Sequence, residues 1–302
     1  ALVLFPRQAA LWNEIAILAL FAVSLDLILG YAGVVSLGHA AFFGAGCYAA
    51  ALFAKHVTGA PLVGMGVAVS VGALLGLASS PFVLRGSDLT RLMVTLGIAS
   101  ILYELANKFD KITGGADGLQ GVVMGPVLGL FPFGLDGKVA YLYSLVVLVV
   151  CVLIARRVVH SPFGYSLKAI RDNRLRAGAI GVDVNRQLAV VYTISAAMAA
   201  AAGALLAQTT GFASLDVLNF DRSADVMLVV VIGGTGYLYG GIVGAVIFRV
   251  MQDVLSAWTP QYWQFWLGLI LVLIVLVGHE RIVRPFHALR DALARRGGRA
   301  TS

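Results

Sequence analysis

Only 12% of the 302 residues are charged and only two are cysteine. Soluble domains carry about 25% charged residues. A chain that is 60% hydrophobic, with mean hydropathy +0.91, holds more apolar surface than a water-soluble fold of this length can hide. Cys47 and Cys151 lie inside apolar runs, which points to two buried thiols and no disulfide framework. There is no Gly-x-x-x-x-Gly-Lys-Ser/Thr phosphate loop, no His-Glu-x-x-His zinc motif and no Gly-x-Ser-x-Gly elbow. An ATP site, a metal-hydrolase site and a serine-hydrolase site are therefore not expected, and no catalytic or metal-binding residues are assigned. An arginine ladder and a relay of intramembrane carboxylates are also lacking, which removes a voltage sensor and a proton pump. Asp26, His39 and Glu104 are the candidates for ionisable groups at membrane depth. Glu104 stands beside Asn107 and Lys108 and reads as interfacial, whereas Asp26 calls for a polar neighbour inside the bundle.

The abundant feature is the long apolar run. Such runs occupy about 12–30, 34–54, 61–84, 89–107, 139–155, 187–208, 224–250 and 262–279. A helix needs about 20 residues to cross the hydrocarbon, and barrel strands would instead alternate over about 10. The expected class is an all-α polytopic membrane protein. It has about 8–10 transmembrane helices or half-helices, some broken by glycine, in a single domain over 1–302. The opening Ala1–Pro6 reads as the end of an apolar span that begins upstream.

The net charge of +7 is concentrated in two places, a pattern that favours membrane surfaces over nucleic acid. The loop at about 156–186 carries Arg156, Arg157, Lys168, Arg171, Arg174, Arg176 and Arg186 against Asp172 and Asp183. The tail at about 281–302 carries Arg281, Arg284, Arg290, Arg295, Arg296 and Arg299. Both belong on the cytoplasmic side. Ser161-Pro162-Phe163-Gly164 starts a helix in the loop, and Ala177-Gly178-Ala179-Ile180-Gly181 closes it. A helix over Lys168–Gly181 suits a docking element for a cytoplasmic partner. An interfacial helix that only sets topology fits the composition equally well.

Eight simple crossings would leave the basic tail outside. The stretch 233–244 holds six glycines in twelve residues, which splits 224–250 into two half-helices or two short spans and returns the tail to the inside. A second broken stretch, 30–46, holds five glycines in seventeen residues. Breaks at membrane depth must face a cavity or protein. Ser36, His39, Phe42 and Phe43, with Gly233, Gly234 and Gly236, are thus candidate pathway residues, and the two segments are expected to approach each other or a partner near the midplane. The competing reading is a small-residue packing seam with His39 hydrogen-bonded in the core. The loop 108–138, with Gly114, Gly115, Asp117 and Gly118, falls on the outer side by alternation.

Several of these segments resemble one family. Ser36-Leu37-Gly38-His39-Ala40-Ala41-Phe42-Phe43-Gly44, Thr113-Gly114-Gly115-Ala116-Asp117-Gly118-Leu119, Ser161–Asn173 with Ala177–Val182, and Gly233-Gly234-Thr235-Gly236 together are similar to branched-chain amino acid ABC transporter permeases. The outer-loop motif resembles the LivM-type subunit more than the LivH type. The resemblance runs from about Leu25 to Ile282. It implies a multi-pass subunit of a bacterial cytoplasmic (inner) membrane importer. The partners would be a second homologous permease, two cytoplasmic ATPases that hold ATP and Mg, and a periplasmic or extracellular substrate-binding protein. Lys168, Ala169, Ile170, Arg171, Asp172, Ala177, Ile180 and Gly181 would face the ATPase. The cargo would be branched-chain or other hydrophobic amino acids, with urea, short amides and aromatic acids as alternatives. A membrane-embedded enzyme using His39 with Asp26 or Glu104, and a passive channel, are the competing classes.

Overall fold

The structure is a computed structural model that describes residues 9–127, 131, 133, 137–258, 260–262, 265, 266, 268–270 and 272. The start of the chain, most of the 262–279 run and the basic tail lie outside the described residues. The helices are α1 (Ala9–Asp26, continued by a π-helical turn Leu27–Tyr31), α2 (Ala40–His56), α3 (Pro61–Val83), α4 (Asp88–Lys108), α5 (Asp110–Thr113) and α6 (Lys138–Val159). They continue as α7 (Pro162–Asp172), α8 (Arg174–Ala179), α9 (Val184–Thr210), α10 (Phe220–Gly233) and α11 (Gly240–Trp258). Among the described residues, six helices are long and apolar enough to cross a membrane. The all-α, multi-pass class read from the sequence holds.

The chain divides into two units, Ala1–Val246 and Ile247–Ser302. In the second, helix continues to Trp258, where Arg249 donates to Gln252 at 2.7 Å.

In the first unit, α1 and α9 are mostly buried, while α3, α4 and α6 present their apolar faces outward. α9 can sit in the centre because its middle is nearly all alanine. Alanine lets neighbouring backbones come close, and dispersion contacts then replace the missing hydrophobic drive in lipid. Gly46 and Gly72 lie against the Ala196–Ala200 stretch of α9, and Gly203 lies against Phe43 of α2. Buried polar side chains tie the same helices. Asn13 donates to Thr209 at 3.1 Å and accepts from Ser144 at 2.6 Å, which joins α1, α9 and α6.

Two helices are shorter than their apolar runs. The 34–54 run becomes a helix only from Ala40, because 32–39 turns back. Ser24 pairs with His39 and Phe21 lies 4.6 Å from Phe43, so α2 returns antiparallel to α1. The 224–250 run splits at Gly233 and Gly240. Gly240 lies against Gly233 and Gly244 against Val229, so α10 and the start of α11 also run antiparallel. The 224–250 run is therefore two helices rather than one.

Contacts sort the loops into two sides. Arg174 donates to the Leu84 carbonyl at 3.4 Å, which puts the end of α3 with the basic loop. On the other side, Gly125 donates to Gly59 at 2.8 Å and Leu119 bridges to Ala213.

Candidate functional site

The site grows from the place where α1 stops being regular. At Leu27–Tyr31 the helix widens into a π turn, a feature frequent at functional positions. Gly30 lies inside it. A Cβ there would overlap Asp26 Oδ1 and the backbone of Gly236, so only glycine lets the two chains meet. Gly236 itself has φ +80°, a left-handed conformation costly for other residues. Its N–H donates to Asp26 Oδ1 at 2.8 Å. Asp26 is 1% exposed and its second oxygen, Oδ2, has no hydrogen-bond partner. The polar neighbour that the sequence demanded for Asp26 is thus a backbone amide 210 residues away.

The basic loop reaches the same point. Arg171 Nη1 of α7 donates to the Gly30 carbonyl at 2.5 Å, and its aliphatic stem covers Gly33. Lys168 Nζ lies 5.6 Å from the Tyr31 ring, in cation–π range. The end of α1, the 234–236 turn and α7 therefore share one cluster. Through Arg171, α7 touches both glycine breaks.

The expected helix over Lys168–Gly181 is two helices. Asn173 is extended at φ −159°, and its side chain caps α8 by accepting from Arg176 N–H at 2.9 Å. The break changes which residues face out. Ile170 and Ala177, expected on the partner's side, are buried against the chain's own helices, and Ala169 and Lys168 are half-buried. Leu175 and Ile180 stand 88% and 73% exposed, with Tyr165, Asp172 and Gly181 also outward. Partial burial, then the charge of Arg91, hold the Arg174 guanidinium below the ordinary arginine range, with Asp88 opposing.

Ser36, His39, Phe42 and Phe43 lie inside the chain. His39 Nε2 pairs with Ser24 Oγ at 2.9 Å and its ring stacks on Phe21 at 5.5 Å. Phe42 sits edge-on to Tyr192 at 5.5 Å. Leu37 N–H donates to Thr95 at 3.3 Å and Ala40 N–H to Ser223 at 3.0 Å. Gly233, Gly234 and Gly236 meet α11 and α1 instead, so α1 is the common neighbour of the two broken segments. Cys47 is buried, whereas Cys151 is only half-buried; both are free. In the 108–138 loop, Gly114 and Gly115 close α5, Asp117 is exposed, and Gly118 packs against Phe212 and Ala213.

One polar group was not anticipated. Asp216, Asp221, Arg222 and Asp225 cluster at the start of α10, with Arg222 3.3 Å from Asp216. In the sequence they look like the polar end of a loop. Asp216, Asp221 and Arg222 are exposed and Asp225 is half-buried.

The family model described as branched-chain amino acid transport system / permease component matches residues 9–277. The chain is 29% identical to the high-affinity branched-chain amino acid transport system permease protein LivM of Escherichia coli strain K12, over 91% of this chain and 70% of that protein. It is 28% identical to the LivM of Salmonella typhimurium strain LT2, over 85% of this chain and 65% of that protein. It is also 29% identical to the autoinducer 2 import system permease protein LsrC of Klebsiella pneumoniae, over 75% of this chain and 63% of that protein. The chain thus spans about two thirds of the length of these relatives. No solved structure matches.

Proposed function

The chain belongs to the family of branched-chain amino acid transport permease components, and we propose that it is one permease subunit of an ATP-driven importer of branched-chain amino acids. In this reading a second, homologous permease completes the pathway. Two cytoplasmic ATPases hold ATP and Mg, and a periplasmic or extracellular binding protein delivers cargo at the loop side of Gly114–Gly118. The membrane is the bacterial cytoplasmic (inner) membrane, and this chain itself binds no nucleotide.

The observation that carries the reading is the Arg171–Gly30 and Gly236–Asp26 pair of hydrogen bonds. A loop that served only as a topology signal has no need of a fixed tie to the transmembrane breaks. Here α7 and α8 offer exposed Leu175 and Ile180 to a cytoplasmic partner and hold Gly30 from the other side. Closure of the ATPases on nucleotide would displace α7, and the displacement would reach the end of α1 and the 234–236 turn together. A hydrogen bond from a charged group such as the Arg171 guanidinium contributes about 1.5–3 kcal/mol.

Reconstitution tests this. The complex of this chain with its partner permease, ATPases and binding protein is placed in proteoliposomes loaded with ATP and Mg. Leucine, isoleucine or valine uptake that needs ATP hydrolysis is expected. Uptake that proceeds equally without ATP would identify a passive channel instead.

A further inference from the structure

We propose that the cavity between α3 and α6 is a phospholipid site: one acyl chain of an outer-leaflet lipid fills it, and the Tyr143 hydroxyl donates to the ester carbonyl of that chain. The cavity comes from the way the helices pair. α3 packs along α9, whereas α6 packs along α1 and barely meets α9. A slot is left between α3 and α6, and its floor is Ala201 of α9. The methyl group of an alanine cannot fill it. The walls include Leu62 and Val69 of α3 and Val139 and Cys151 of α6, and the slot holds about 550 Å³.

The first support is depth. α6 carries Arg156 and Arg157 in its last turn, and the basic excess there belongs inside, so Val139 stands at the outer end. From Val139 to Cys151 the helix rises about 18 Å, at about 1.5 Å per residue. Half of a hydrocarbon core is about 15 Å thick. The slot therefore follows one leaflet, parallel to its chains. Leu142, Val146 and Val150 are exposed along its rim, so the slot is continuous with the apolar outward face of α6.

The second support is size. A helix about 10 Å wide fills about 1,400 Å³ over that length. A partner's helix therefore cannot enter, and one laid across the rim leaves the slot empty. At about 30 Å³ for a water-sized group such as a methylene, the slot takes about eighteen. That is one unbranched chain. The third support is Tyr143. It lines the cavity, is 7% exposed, and its hydroxyl has no hydrogen-bond partner among the described residues. Phe133 holds its ring edge-on at 6.0 Å. Tyr143 stands about 7 Å below the outer end of α6. Tyrosines gather at this level, where the apolar chains meet the polar part of the bilayer. An ester carbonyl is the acceptor that a lipid offers there.

The test uses the full chain in its assembled complex, in proteoliposomes of phosphatidylethanolamine and phosphatidylglycerol. A trace of the phosphatidylethanolamine carries a diazirine at the end of one acyl chain. After illumination, mass spectrometry of peptides locates the label; transport is not read, so the result stands apart from the cargo. Label is expected to be at least fivefold denser at 147–151 and Ala201 than at Leu74 and Ile101, which are exposed near the middle of α3 and α4 and lie outside the cavity. Tyr143→Phe is expected to keep its melting temperature in detergent and to lower the cavity label at least threefold, with the label at Leu74 and Ile101 unchanged. Even labelling of all these places would reduce the slot to ordinary hydrocarbon contact and overturn the proposal. Cavity label that appears in the isolated chain but not in the complex would overturn it in favour of a partner subunit. Unchanged cavity label in Tyr143→Phe would overturn it as well.

Discussion

Arg171 and Gly30 are 141 residues apart in the chain, yet the guanidinium of one donates to the carbonyl of the other at 2.5 Å. Gly30 is also the residue over which Asp26 holds Gly236. Helix α7, the end of α1 and the second glycine break thereby meet at one point.

Substitution of the glycines separates close approach from mere flexibility. Gly30→Ala puts a methyl group onto Asp26 and Gly236, and Gly236→Ala forces a side chain into a left-handed backbone. Strain of that kind costs about 1–3 kcal/mol per residue. Each variant is expected to lower the melting temperature in detergent and the complex yield. Gly178→Ala, with nothing near its missing Cβ and a place inside α8, is expected to be neutral or stabilising by about 0.5–1 kcal/mol. Equal melting of all three variants would contradict the packing.

The outward face of α7–α8 is testable by charge insertion. Leu175→Asp is expected to leave the melting temperature of this chain unchanged and to weaken ATPase co-purification at least tenfold, about 1.4 kcal/mol of lost contact. Ile170→Asp buries an unpaired carboxylate and is expected to cost about 3 kcal/mol or more, seen as lost folded protein. Reversal of the two outcomes would mean that the helices present the other face.

Much of this was legible in the sequence, and the remainder failed for physical reasons. The breaks at 30–46 and 233–244 announce themselves because glycine is costly in a helix interior. The split of 224–250 followed from those glycines together with the charge pattern. The facing of Ile170 and Ala177 was not legible, since the extended Asn173 resets the helical phase between α7 and α8. His39 and Phe43 drew notice as polar and aromatic groups at a break, yet His39 finds Ser24 and Phe43 finds Phe21, contacts only the α1–α2 hairpin creates. The partner of Asp26 is a backbone N–H, which leaves no side-chain signal at all.

The contacts sort the described loops into two groups, and the basic excess of the 156–186 loop and of the tail assigns both to the inside. Single cysteines at Asp117, Asp172 and Ser302, in a background without Cys47 and Cys151, are labelled from one side of intact cells with a membrane-impermeant maleimide. Asp117→Cys is expected to react from outside. Asp172→Cys and Ser302→Cys are expected to react only after the membrane is opened. Outside labelling at Ser302 would refute an even number of passes after the basic loop.

The tie at Gly30 is tested most directly by the number of leucine molecules imported per ATP hydrolysed, compared between the unsubstituted importer and Arg171→Ala in the same proteoliposomes. The expected result is a fall of at least tenfold in that ratio, with ATP hydrolysis continuing, the complex fully assembled, and Arg171→Lys in between. An unchanged ratio in a well-assembled Arg171→Ala complex would contradict coupling through Arg171 and Gly30.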